Sequence, residues 1–187
     1  GETVDMSLCA KAKDEFNMGC KARTVSFTQL YGGKITAALS RQHPRDLFDC
    51  KYMDISSFED VKDGFMLCLL GSDKPIIESL QPNEIDQTDA LEKQFEGMSD
   101  IAFSYEDYKQ ARLQLVKLVQ EGMTKADKDF LLSFEEGCPD WSLCSAGDLS
   151  KYPSVQWKLL NIRNLKEHNI QKHEQGIKKL KDFLFPK

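Results

Sequence analysis

Most of the chain spaces its apolar residues as amphipathic helices do. A capping residue, Ser26, Ser57, Ser104 or Thr124, precedes several of these runs. The pattern predicts helices over 27–41, 44–53, 58–70, 83–95, 105–121, 125–136, 153–165 and 168–184, and a short helix that begins at Pro75. The clearest apolar face belongs to 105–121 and consists of Tyr108, Ala111, Leu115, Leu118 and Val119.

One short strand is predicted near the beginning of the chain. Residues 18–25 alternate loosely and end in β-branched Thr24 and Val25. An isolated strand cannot satisfy its own backbone groups, so this strand implies an N-terminal sheet that the chain has lost or been cut from. The predicted fold class is therefore mainly α, an α+β arrangement with a small N-terminal strand remnant.

Two glycines lie within the first predicted helix. Gly32 and Gly33 each weaken that helix by roughly 1 kcal/mol relative to alanine. Glycine inside a helix commonly marks a close approach by another element, so we expect something to pack tightly here.

Composition narrows the class of protein. The chain has 187 residues, 41% hydrophobic and 29% charged, which fits one domain or two small ones and excludes a disordered, collagen-like or purely coiled-coil chain. The longest apolar run, 65–70, is too short to span a membrane. Six cysteines without a C-x-x-C pair argue against a disulfide framework or a zinc ribbon, and they favour free thiols in a reducing, cytoplasmic location.

The net charge is unevenly distributed. Residues 151–187 hold nine Lys or Arg and three acids, which gives them a charge of +6. Because the whole chain has a charge of −5, the first 150 residues have a charge of −11. Such a segment can face a nucleic acid. It can equally be a solvated amphipathic helix, because lysine-rich helix faces are common.

The densest polar cluster lies between residues 34 and 49. Lys34 and Arg41 are two helical turns apart and share a face, with Ala37 and Ala38 between them. Beyond the proline break, Asp46 and Asp49 are spaced i,i+3, and Arg45 and Asp49 are spaced i,i+4. Cations beside two carboxylates suit phosphate binding near a divalent metal. The alternative is a structural lattice of ion pairs.

Other candidates are weaker. Asp127 and Asp129 resemble a metal motif but fit the acidic first turn of a helix better. His168 and His173 lack the i,i+4 spacing of a helical metal pair. Trp141 and Trp157 are predicted to be packing anchors rather than base-stacking platforms.

The segment from Tyr31 to Asp49 closely resembles the AbiEii/AbiGii family of nucleotidyltransferase toxins. The resemblance continues at 95–98, 130–134, 137–143 and 157–162, and covers about residues 24–165. It implies a helical C-terminal region of a nucleotidyltransferase fold, and transfer of a nucleotide from an NTP with Mg²⁺. The acceptor would be an RNA, with transfer RNA as one candidate, or a protein, and the partner an AbiEi antitoxin.

The resemblance assigns roles to five residues. Lys34 matches the lysine expected to hold the triphosphate, and Arg41 is an additional phosphate contact. Asp46 matches the first acid of an R-D-x-x-D motif, expected to act in polar catalysis or orientation, and Arg45 and Asp49 flank it in that motif. The resemblance thus implies Asp46 and Asp49 as catalytic residues, and Arg45 as a nucleotide-binding residue beside Lys34 and Arg41.

One feature of the family is missing from the sequence. Its Gly-Ser turn and Asp-x-Asp pair would hold Mg²⁺ between the phosphates, and no such segment exists here. We therefore expect the C-terminal portion of such an enzyme, inactive alone, with its metal ligands mostly outside this chain. Residues 1–25 would end the sheet core and 26–187 would form a helical domain. The alternative function is a non-catalytic helical module that binds RNA or protein; the oligomeric state stays open.

Overall fold

The structure is a computed structural model that describes residues 3–186. Its elements in chain order are β1 (Thr3–Ser7), α1 (Ala10–Phe16), β2 (Lys21–Val25), α2 (Phe27–Arg41), α3 (Pro44–Lys51), α4 (Lys62–Gly71), α5 (Ile76–Leu80), α6 (Thr88–Ala90), α7 (Tyr105–Gly122), α8 (Lys125–Glu135), α9 (Pro153–His168) and α10 (Ile170–Leu184). Short 3₁₀ turns occupy Phe58–Asp60 and Trp141–Leu143, and a π-helical turn, Leu91–Phe95, continues α6. The mainly α prediction is confirmed.

Helix starts lie where the capping residues predict them. Ser26 accepts a hydrogen bond from the N–H of Gln29 at the start of α2. Ser57, Ser104 and Thr124 each form a complete capping box with an aspartate three residues later. These starts are predictable because each cap involves only neighbouring residues.

The centre of the helical body is the contact between α2 and α4, which rests on two glycines. A Cβ added at Gly32 would lie 2.2 Å from the backbone nitrogen of Phe65, and one at Gly64 would lie 2.0 Å from the carbonyl oxygen of Thr28. The expectation of a close approach is thus confirmed for Gly32. At Gly33 a Cβ would meet only the Cys68 sulfur, at an ordinary 3.6 Å.

The remaining helices complete the core around this contact. Fully buried side chains come from eight helices of the body and include Ile35, Leu39, Leu47, Phe65, Met66, Leu69, Leu70, Ile76, Tyr108, Phe130, Leu131, Phe134, Val155 and Leu180. The predicted apolar face of α7 is buried except for Leu118, which is only partly buried. Among the described residues, no helix combines the length and hydropathy needed to cross a bilayer.

The N-terminal strand has a partner, so the expectation of an unpaired strand is wrong. β1 pairs antiparallel with β2 in a register that runs from Thr3↔Val25 to Ser7↔Lys21. The run 3–7 is too short to stand out as a strand by alternation alone. Neither β1 nor α1 contributes a buried residue, so this two-stranded ribbon lies outside the core. The division at residue 25 remains a prediction.

The helix predicted over 83–95 forms only in its second part, 88–95. Residues 82–87 are irregular, and helical structure begins only at Thr88. The carbonyl groups of Pro82 and Asn83 accept hydrogen bonds from the side chains of Arg112 and Gln42 instead of from helical N–H groups. Distant partners therefore override the local helical pattern.

Candidate functional site

The candidate residues lie on two helices joined by a sharp corner. Gln42 closes α2 in a left-handed conformation with φ 52°, and its N–H donates to the carbonyl of Ala38. His43 then caps α3, because its Nδ1 accepts a hydrogen bond from the N–H of Arg45. Pro44 occupies the first position of α3, where a missing N–H has no consequence.

Two ion pairs connect α2 to α3 across this corner. Lys34 Nζ lies 2.5 Å from Asp49 Oδ2, and Arg41 Nη2 lies 3.0 Å from Asp46 Oδ1. Four of the five predicted site residues are therefore brought together on one surface. We call this surface, formed by Lys34, Arg41, Arg45, Asp46 and Asp49, the α2–α3 corner.

The fifth residue, Arg45, does not form the pair that its spacing allows. Asp49 is engaged by Lys34 from the neighbouring helix, so the i,i+4 pair along α3 is absent from the described ion pairs. The Arg45 side chain is exposed and makes no hydrogen bond or ion pair within residues 3–186. Ala38 is also buried, so only Ala37 separates Lys34 from Arg41 on the exposed stripe.

The carboxylates of the α2–α3 corner differ in burial. The Asp46 side chain is 12% exposed, and its Oδ2 is buried without a hydrogen-bond partner. Asp49 and Lys34 are more open, at 38% and 37%. Burial raises the pKa of the neighbouring Cys50 thiol to about 12; Asp49 and Asp46 raise it further, and Lys34 opposes them. The Cys50 thiol is therefore un-ionised at neutral pH, with two carboxylates and one ammonium group of the corner near it.

A buried glutamine, which the sequence analysis missed, holds the corner in place. Gln42 is 2% exposed; its Nε2 donates to the carbonyl of Asn83, and its Oε1 accepts from Arg112 Nε at 2.7 Å. The Tyr108 hydroxyl donates to the Gln42 carbonyl at 3.0 Å. Arg112 also donates to the carbonyl of Pro82. Because these partners lie 41 to 70 residues from Gln42, no local motif could reveal them.

The π-helical turn, Leu91–Phe95, also contacts the α2–α3 corner, through His43 and Phe48. His43 Nδ1 accepts a hydrogen bond, so its Nε2 carries the proton and donates to Gln94 Oε1 at 3.1 Å. Phe48 packs against Phe95 and Phe103, with ring centres 5.1 and 5.3 Å away. π-Helical turns are frequent near functional sites, although the sequence carries no signal for this one.

The described residues do not form a Mg²⁺ site by themselves. No group of three His, Cys, Asp or Glu side chains comes together between residues 3 and 186. Each carboxylate of the corner is already paired with a cation, and Asp46 Oδ2 is its one buried oxygen without a hydrogen-bond partner among residues 3–186.

Asp127 and the two histidines, the weaker metal-site candidates of the sequence, have structural rather than metal-binding surroundings. Asp127 is buried in its capping box and lies 3.3 Å from Lys62, so it begins a helix as predicted. His173 is buried and contacts the carbonyl of Glu135, whereas His168 is exposed.

The two tryptophans differ. Trp141 packs against the rings of Phe130 and Phe134, as expected of an anchor. Trp157 is 65% exposed, so its prediction as a packing anchor is wrong. Lys158 and Ile162 on its helix face the core, and this orientation turns the indole outwards.

The basic C-terminal segment is an amphipathic helix pair. Lys158 Nζ, Arg163 Nε and Lys166 Nζ donate to backbone carbonyls of other elements, so these cations have structural partners. α10 buries His173, Leu180 and Leu184. Lys172, Lys178, Lys179 and Lys181 remain exposed.

Comparison with known proteins gives one match. A family model described as "Nucleotidyl transferase AbiEii toxin, Type IV TA system" matches residues 2–159. No curated protein and no solved structure matches the chain.

Proposed function

The chain belongs to the AbiEii family of nucleotidyltransferase toxins of type IV toxin–antitoxin systems, and we propose that its α2–α3 corner binds the triphosphate of an NTP. The observation that carries the proposal is the pair of ion pairs across the corner. They gather Lys34 and Arg41 beside the unpaired Arg45, so three cations of the described chain border one exposed surface.

Each cation has a distinct part in the proposal. Lys34 meets a phosphate as a point charge because its ammonium group is compact, and its pair with Asp49 is open enough to solvent for a phosphate to reach it. Arg41 uses only Nη2 on Asp46, so its remaining N–H groups are free to donate to phosphate oxygens. Arg45, with no partner of its own in the described chain, is free to clamp two phosphate oxygens.

The carboxylates orient these cations. Asp46 is largely buried and holds the exposed Arg41, which makes it a positioning residue. Asp49 holds Lys34 until phosphate arrives. Asp46 Oδ2 has no donor within residues 3–186 and is free to accept an N–H or O–H group that enters with the substrate.

The proposal extends to the remaining components of the reaction. The acceptor is an RNA, with transfer RNA as one candidate, or a protein, and the antitoxin partner is of the AbiEi type. The Mg²⁺ that nucleotide transfer requires in this family would find its ligands mostly outside the described residues. This chain alone therefore binds the nucleotide without transferring it.

The test is equilibrium binding of each of the four NTPs to the purified chain. A charge-assisted hydrogen bond contributes about 1.5–3 kcal/mol, so Lys34→Ala or Arg41→Ala should weaken binding about 10- to 150-fold. Lys51→Ala is the matched control, because Lys51 forms an ion pair of similar exposure with Asp107 and lies outside the corner. The control should retain wild-type affinity.

Two results would contradict the proposal. NTP affinity that survives both Lys34→Ala and Arg41→Ala would leave the corner as a structural lattice, particularly if both variants also lose stability. Absence of NTP binding, with salt-dependent RNA binding that requires Lys178, Lys179 and Lys181, would favour the non-catalytic RNA-binding module. This second function can be tested because the lysines of α10 that it requires are exposed and can be replaced individually.

A further inference from the structure

A cleft of about 200 Å³ opens between α9 and the loop that joins α4 to α5. Trp157 and Asn161 of α9 line one side of the cleft, Lys74 lines the loop side, and Glu135 of α8 contributes a carboxyl group. The volume suits a small planar group. None of these residues belongs to the α2–α3 corner.

Trp157 presents an unpartnered flat surface at this cleft of the described chain. Its side chain is 65% exposed, although the next two residues, Lys158 and Leu159, are at most 9% exposed. Asn161 follows one helical turn later, and Asn164 and His168 continue the same line of α9 at i+7 and i+11. An indole followed by amide and imidazole groups can combine stacking with hydrogen bonding.

Glu135 places an unsatisfied acceptor in the same region. Its Oε2 is buried and has no hydrogen-bond partner among residues 3–186. Burial raises the pKa of this carboxyl, and Lys158 and His173 partly offset the shift. An unmet buried acceptor is costly, so a rotation of the Glu135 side chain that brings Oε2 into the cleft, within reach of a ligand's N–H groups, would relieve it.

Lys158 fixes the opposite wall of the cleft. Its Nζ donates to the carbonyls of Leu69, Ser72 and Lys74 at 3.0, 3.2 and 2.6 Å. Its three donors are therefore in use, and Lys158 shapes the cleft rather than binding a ligand. The Lys74 side chain in turn donates to the carbonyl of Ser40, the residue before Arg41, so this wall is joined to the α2–α3 corner.

We propose that this cleft binds one unpaired base of an RNA, stacked on Trp157 with its N–H edge towards Glu135 and Asn161. Guanine fits best, because its Watson–Crick edge offers adjacent N–H donors to a carboxyl group. The charge of +6 on residues 151–187 attracts the phosphates of the same strand. This inference rests on the proposed function in one respect: the RNA that the cleft binds is taken to be the acceptor of the transferred nucleotide.

The test uses the fluorescence of Trp157 in a Trp141→Phe background, where it is the remaining tryptophan of the chain. The probes are the pentamers UUGUU, UUAUU, UUCUU and UUUUU, which carry no triphosphate. UUGUU should quench the fluorescence and bind tightest. In the two-tryptophan chain, followed by anisotropy of labelled UUGUU, Trp157→Ala should weaken binding roughly 5- to 150-fold, as loss of one base stack does.

Conservative variants separate stacking from simple packing. Trp157→Phe should restore most of the affinity, whereas Trp157→Leu should not, because leucine is apolar but cannot stack. Glu135→Gln should reduce the preference for UUGUU over UUUUU. Leu113→Ala, which removes a 56% exposed side chain on α7, is the matched surface control and should leave binding unchanged.

Three outcomes would overturn the inference: equal binding of Trp157→Ala and the wild type, full affinity in Trp157→Leu, or a dimer that Trp157→Ala converts to monomer in sedimentation analysis. The last would mean that the surface docks a second copy of the chain. Failure here with intact NTP binding would refute only the RNA site. Base binding through Trp157 without NTP binding would refute only the nucleotide site.

Discussion

Gly32 and Gly33 are neighbours on α2, but their replacement by alanine should have opposite effects on stability. The added Cβ at Gly32 would lie 2.2 Å from the nitrogen and 2.9 Å from the Cα of Phe65. Favourable contacts begin near 3.5 Å, so the first distance is more than 1 Å too short. Both contacted atoms belong to the backbone of α4, which cannot move aside as a side chain can.

The size of the effect follows from two opposing contributions. Alanine favours the helix by about 1 kcal/mol over glycine. Overpacking a core typically destabilises by about 1–3 kcal/mol, and a backbone clash lies at or above the upper end. Gly32→Ala should therefore lower the free energy of unfolding by at least about 2 kcal/mol. Gly33→Ala meets only an ordinary contact at 3.6 Å and should raise it by up to about 1 kcal/mol.

Urea unfolding of the two variants and the wild type tests this reasoning. The midpoint should fall for Gly32→Ala and rise slightly for Gly33→Ala, with an unchanged slope for both. Gly33→Ala is the matched control, since it adds the same methyl group to the same helix. A Gly32→Ala midpoint at or above the wild type would refute the close packing of α2 on α4, and so would equal losses in both variants.

Three further predictions concern the contribution of Arg112, Cys50 and Lys158 to the stability of the helical body. Arg112→Ala should lower the free energy of unfolding by about 1–3 kcal/mol, because it leaves the buried Gln42 amide oxygen without a donor; an unchanged urea midpoint would contradict this. Stability should fall between pH 9 and 12, because the folded Cys50 thiol has a pKa of about 12 against its ordinary 9.0, so the unfolded chain binds fewer protons in that range. In Cys50→Ala, urea midpoints measured across that range should fall less steeply, and an identical slope would argue against the buried thiol. Lys158→Met should destabilise by about 1.5–3 kcal/mol, because it removes the charged donor of the Leu69, Ser72 and Lys74 carbonyls, whereas the exposed Lys166→Met should change stability by less than about 1 kcal/mol in the same measurement.

The sequence predicts local features of this fold well. The caps at Ser104 and Thr124 involve a side chain and a backbone group three residues apart, and the structure places them as expected. The close approach at Gly32 is also predictable, because glycine weakens a helix and is best tolerated where a neighbouring backbone leaves no room for a Cβ. The identity of that neighbour is not predictable, since Phe65 lies more than thirty residues away in the chain.

The site illustrates the same limit. Spacing alone favours an Arg45–Asp49 pair along α3, yet Lys34 from α2 takes that carboxylate. Gln42 depends on Tyr108 and Arg112 of α7, and no motif around it signals that dependence. Side chains that meet across helices are specified by packing, which a single sequence does not reveal.

The ammonium group of Lys158 has a consequence for the order of synthesis. It completes the C-terminal end of α4 by binding the carbonyl of Leu69, which precedes it by 89 residues. At about 5–20 residues per second, a ribosome takes roughly 4–18 s to cover that interval. During this time the carbonyl of Leu69 has the N–H and hydroxyl groups of Ser72 as donors, but the carbonyls of Ser72 and Lys74 have water in place of the lysine. This end of the newly made α4 is therefore open to chaperones and proteases until α9 has emerged.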